Sequence, residues 1–119
     1  MKKQVVVSLQ MEGQHSWPQC PFQEVAFLRN EHRHIFHIKC WKTVQHDDRD
    51  VEIIMLKRSI QETMIECWGE PSKNPGVRMI PLKFGSMSCE MIAREIIDTF
   101  DLDACEVLED GENGALISR

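Results

Sequence analysis

With 119 residues, 42% of them hydrophobic and 28% charged, the chain has the size and composition of one globular domain, expected to run over residues 1–119. Such a domain buries roughly two-thirds of its unfolded surface without disulfide or metal staples. Nineteen Asp and Glu against 14 Lys and Arg give a net charge of −5, which argues against grip on polymeric nucleic acid, because that needs clustered basic surface. A small anion in a local basic pocket is compatible with the same balance. No apolar run is long enough to span a bilayer, and no apolar core follows Met1-Lys2-Lys3 to make a signal peptide. Five cysteines without a C-x-x-C pair read as reduced thiols of a cytosolic compartment.

The alternation Val5, Val7, Leu9, Met11 predicts a strand over Lys3 to Met11, and a loop carrying Gly13, His15, Trp17 and Cys20 follows. Glu24 to Asn30 reads as a short strand or extended lead-in. A long strand is expected from His32 to Gln45, with His32, His34, Phe36, Ile38, Cys40 and Val44 on one face. Asp47, Asp48 and Asp50 offer caps for a helix over Val51 to Trp68, whose apolar stripe is Ile53, Leu56, Ile60, Met64 and Cys67. Gly69 and Pro71 stop it. Glu70 to Gly76 is expected as loop and Val77 to Phe84 as strand or extended connector. A second helix starts near Ser86 or Ser88, with Cys89, Ile92, Ala93, Ile96, Ile97 and Phe100 as its stripe. Ala104 to Leu108 and Ala115 to Ser118 are short strands around Asp-Gly and Asn-Gly turn formers. The order implies α+β: a four-stranded or slightly larger antiparallel sheet with two helices on one face.

His32 and His34, two apart on a strand, project to one side. With His15 they make a candidate three-histidine zinc site of the kind that keeps one coordination position open. By itself H-x-H is a weak signal, more often packing than ligation. The ordered set Met11-Glu12-Gly13-Gln14-His15, Glu31-His32-Arg33-His34-Ile35-Phe36, Ile54-Met55-Leu56-Lys57, Ser86 to Ala93 and Val107-Leu108-Glu109-Asp110 resembles the 6-pyruvoyl- and 6-carboxy-tetrahydropterin synthases. That resemblance implies the tunnelling fold, zinc on His15, His32 and His34, a glutamate holding the heterocycle, and subunits joined edge to edge. The departures are specific. Leu28 stands where those enzymes carry a cysteine four residues before the histidine pair, the Cys67 to Ser86 segment has neither Asp nor His for their proton relay, and Arg33 replaces the central glycine of their H-G-H. General acid–base catalysis needs titratable groups within hydrogen-bond reach, so the chain reads as no enzyme, with the zinc-dependent pterin lyase as the alternative.

A second resemblance accommodates these losses. Glu24 to Asn30, His32-Arg33-His34, His46 to Glu52, Ser88 to Ala93 and Glu109 to Ala115 are similar to segments of small phage proteins that defeat the bacterial Thoeris defence by sequestering its cyclic ADP-ribose signal. Some of those proteins also hold cyclic oligonucleotides of the CBASS defence. The resemblance implies a homo-oligomer, dimer to hexamer, acting as a sponge in the cytoplasm of an infected host. Such a ligand needs Arg for its phosphates, an aromatic wall for its base and polar groups for its riboses. The candidates are Arg29, Arg33, Arg49 and Arg58, then Phe84 (with Phe27 and Trp41) for stacking, and Glu109 and Asn113 for hydroxyls or base edges. Any single arginine is as well explained by a surface ion pair. A sponge has no chemical use for the zinc. His37 and His46 read as exposed or hydrogen-bonded residues.

Overall fold

A computed structural model describes all 119 residues. In chain order they form β1 (Gln4–His15), a 3₁₀ segment (Gln23–Arg29), β2 (His32–Thr43), α1 (Ile53–Trp68), β3 (Gly69–Pro71), β4 (Arg78–Gly85), α2 (Cys89–Phe100), β5 (Ala104–Glu109) and β6 (Asn113–Ser118). The class is α+β, as the pattern predicts, but the sheet has six strands in the order β3-β4-β1-β2-β5-β6. It is also mixed, because β4 runs parallel to β1 over Leu82 to Gly85. The expected four antiparallel strands are β1, β2, β5 and β6, neighbours in that order. The hairpin β3-β4 between the helices adds the other two strands at the β1 edge. No helix is long and apolar enough to cross a membrane.

The long β1–β2 ladder runs from Gln4↔Thr43 to His15↔His32, so every second residue of both strands shares a face. Val7, Leu9 and Met11 meet Phe36, Ile38 and Cys40 there, and Cys105 and Val107 of β5 continue the row; all eight are buried. Alternation places Gly13 and His15 at the end of this strand, where a loop is expected, because polar Gln10, Glu12 and Gln14 keep the period of two through them. Ile60 and Met64 of α1 and Cys89, Ile92, Ala93, Ile96 and Ile97 of α2 close one core over this face. The outer parts of the predicted α1 stripe stay exposed: Ile53 lies in the first turn, and Cys67 is also exposed.

The helix ends show which local signals decide. Glu52, not the aspartates before it, caps α1 by accepting from the amides of Ile54 (3.1 Å) and Met55 (2.7 Å). Those backbone bonds hold its carboxyl below the usual range. Ser88 caps α2 through the Met91 amide. The Glu24 to Asn30 stretch is a 3₁₀ segment rather than a strand. Its position is set by the Trp17 amide on Leu28 O (2.6 Å) and by Arg29 Nε on Cys20 O (2.9 Å).

Candidate metal centre

His15 is the last residue of β1, His32 and His34 open β2, and Glu109 ends β5. Cross-strand register sets His15 opposite His32, His34 opposite Gly13, and Phe36 opposite both Met11 and Glu109. One ligand atom from each of His15, His32, His34 and Glu109 lies within 4.8 Å of the others. Tetrahedral zinc ligands at ordinary bond lengths sit roughly 3.3 Å apart, so small side-chain rotations bring the four to bonding distance.

Each imidazole is oriented from outside the cluster. Nδ1 of His15 faces Met87 O at 2.9 Å, Nδ1 of His32 faces Asn30 O at 2.9 Å, and Nδ1 of His34 faces Asp110 Oδ2 at 2.7 Å. All three partners are acceptors, an arrangement that suits a proton on Nδ1 of each ring and an inward-facing Nε2; on that inner side Nε2 of His15 faces Glu109 Oε2 at 3.3 Å. Nε2 of His32 and of His34 are buried atoms with no hydrogen-bond partner. Nε2 of His34 nevertheless lies 2.5 Å from Glu109 Oε2, too misaligned for a hydrogen bond. With the proton on Nδ1 the two are both acceptors and repel at that distance, and a cation shared between them turns the contact into joint ligation. An outer acceptor on each ligating imidazole is how protein metal sites fix tautomer and ring orientation.

The surrounding groups support this arrangement. Phe36, fully buried, stacks edge-on beneath His15 (5.2 Å) and His34 (5.7 Å). A Cβ on Gly13 would come within 2.7 Å of Phe84 and 3.0 Å of Phe36, so glycine is required for these rings to close under the histidines. Cys89, the first residue of α2, donates its thiol to Glu109 Oε1 at 3.8 Å; burial, with Glu109 beside it, pushes that thiol up to about 12, so it stays protonated. Asp110 also accepts from the Ile35 amide at 2.9 Å, and His34 and that amide hold its carboxyl below the usual range. Its anchoring effect is therefore complete at neutral pH and is lost only as acid carries it through that lowered value. Asp110→Ala is expected to weaken metal binding by about 10- to 100-fold with the fold intact, read by competition with a chromophoric chelator.

The other predicted ligand-binding residues do not gather. Arg29 is tied to Cys20 O, Arg33 pairs with Glu12 at 2.6 Å, and Arg49 pairs with Asp48 in a turn where its φ is 55°. Arg58 is exposed on α1, and Asn113 is exposed at the start of β6. Phe84 is 2% exposed, packed between Phe36 (5.0 Å) and Trp68 (5.3 Å), so its faces are closed to a base; the alternation of β4 about Leu82 and Phe84 aims it into the core. Of the ligand-binding set only Glu109 joins the histidines. Asp110 and Cys89, which complete the surroundings, lie within the motif segments Val107 to Asp110 and Ser86 to Ala93, but nothing singles them out there, and only the three-dimensional register brings them to the cluster. No protein-family model matches the chain, and no curated protein matches it.

Proposed function

We propose that this chain is a zinc-binding protein on a tunnelling-type scaffold that captures a small heterocyclic signal of the cyclic ADP-ribose class and holds it without cleaving it. The observation that carries the metal is the convergence of three externally anchored imidazoles on Glu109. The scaffold reading is supported by adjacent antiparallel β1, β2, β5 and β6, with α1, the β3-β4 hairpin and α2 between the two strand pairs in sequence and both helices over one core. Holding without turnover is supported by what borders the cluster. The catalytic-cysteine position is Leu28, the segment between the helices has no Asp or His, and the thiol that touches Glu109 stays protonated. The ligand class comes from the resemblance to the phage sponges, which also makes the chain a homo-oligomer of the infected host's cytoplasm, joined through its sheet edges. β3 and β6 are those edges, and unpaired edge strands favour such joining.

One observation favours a second reading. Three imidazoles suffice for zinc, and Glu109 can turn from the ion to a substrate, which leaves the open position that a pterin lyase uses. Native mass spectrometry of zinc-loaded protein with cyclic ADP-ribose isomers, followed by heating, tests both. The sponge returns its ligand at unchanged mass. Conversion of a dihydroneopterin substrate replaces the sponge with the enzyme, and retention of no cyclic nucleotide rejects the sponge.

A further inference from the structure

The sheet face turned away from the core carries a second set of polar side chains. Register aligns Ser8 with Lys39 and Glu106 across β1, β2 and β5, and Gln10 with His37 and Leu108 in the next row on that face. Lys57 and Gln61, one turn apart on α1, join these rows around a groove of about 490 Å³. That volume falls within the usual range for small-molecule sites.

Six cations of the chain, Lys2, Lys39, Lys57, Arg58, Lys73 and Arg94, make no ion pair or hydrogen bond, and Lys39 and Lys57 are the two of them that line this groove. Arg29, Arg33, Arg49, Arg78 and Arg119 are all engaged with acceptors of their own chain. Lys3 pairs with Asp47, Lys42 holds Phe100 O and Asp101 O, and Lys83 holds Gln14. In the groove, Lys39 and Lys57 form no ion pair and no hydrogen bond; Lys39 only lies over the Trp41 ring at 5.3 Å. The side chains of Ser8, Gln10, His37 and Gln61 are likewise without hydrogen bonds. Two ammonium groups and an imidazole face one carboxylate, Glu106, in a chain whose net charge is −5. The cations of such a groove suit phosphate oxygens, its amides suit the edge of a base, and its carboxylate suits ribose hydroxyls.

We infer that this groove is a binding site for a phosphate-bearing small molecule of nucleotide size, with Lys39 and Lys57 on the phosphates. The site is separate from the histidine cluster and needs no metal. It rests on the reading above only for the nucleotide part of the ligand.

The test is calorimetry of the full chain with ADP and with inorganic pyrophosphate at low salt, with zinc and with EDTA. ADP is expected to bind several-fold more tightly than pyrophosphate, equally with and without metal, and more weakly as salt rises. Lys39→Gln and Lys57→Gln each weaken it about tenfold, while Lys3→Gln, outside the groove, leaves it unchanged. Both groove lysines are exposed, and unchanged thermal melting confirms that the variants fold. ADP binding that survives Lys39→Gln/Lys57→Gln but disappears in His34→Ala overturns the groove and leaves the metal-site reading standing. No binding of either probe at millimolar concentration overturns the groove alone. Equal affinity for the two probes overturns the nucleotide assignment.

Discussion

Purified protein incubated with zinc and desalted is expected to retain one ion per chain, and His34→Ala is expected to retain none. The size of this effect follows from the geometry. His34 is the imidazole that meets Glu109 at 2.5 Å and is itself held by Asp110, so its loss removes one ligand and leaves another without its neighbour. Two imidazoles and a carboxylate then remain, and Arg33, exposed and paired with Glu12 on the opposite face of β2, cannot replace a neutral donor. Acid acts in the same direction, because protons compete with the ion for the inward Nε2 lone pairs. Elemental analysis across a pH series reads both effects. His32→Ala or His15→Ala should follow His34→Ala, whereas His37→Ala should not, since His37 points to the other face. Retention of stoichiometric zinc by His34→Ala would rule out the cluster as the metal site.

The parts legible in the sequence are those governed by short-range periodicity. The alternation of β1 and β2 determines which residues share the core face, and it carries His32 and His34 to the same side as Phe36. The stripe and serine cap of α2 are local too, and Cys89–Phe100 matches them. What escaped depends on partners far away in the chain. β3 has three residues, with Gly69 and Pro71 at its ends, and nothing in such a segment signals a strand until β4 lies beside it. The parallel contact of β4 with β1 joins residues about seventy positions apart, which no local pattern encodes. The site divides in the same way. Two of the three histidines share a strand and are visible as a pair; their anchors Met87, Asn30 and Asp110 lie in the motif segments, but nothing local marks them as partners of the imidazoles, and register and loop geometry recruit them. The arginines were attractive because an acidic chain rarely leaves cations idle. In the fold Arg29, Arg33 and Arg49 are occupied by nearby acceptors, Arg58 stands free on α1, and among the cations left without partners Lys39 and Lys57 are the two that share a groove.

The largest effect on stability is expected from Phe36→Ala. Phe36 is fully buried at the centre of β2, where its ring packs against Phe84 on one side and against the edges of His15 and His34 on another. Truncating a buried phenylalanine costs about 3–5 kcal/mol, part for lost burial and part for the cavity left behind. The neighbours here cannot easily fill that cavity. Phe84 is pinned between Trp68 and the core, and the histidines are held from outside by Met87 and Asp110. Small domains are stable by about 5–15 kcal/mol in all, so a large fraction of the stability goes. Phe36→Leu keeps much of the volume and should cost clearly less. Zinc separates the structural from the metal-linked part of the effect. An ion that binds only the folded chain stabilises it by mass action, so adding zinc should raise the melting temperature of the wild type and of Phe36→Leu. In Phe36→Ala the floor beneath His15 and His34 is gone, and the gain from zinc should be smaller. Denaturant unfolding with and without zinc measures all three proteins. Equal zinc stabilisation in Phe36→Ala and wild type would show that the histidines are held by their outer hydrogen bonds alone, with no contribution from the ring beneath them.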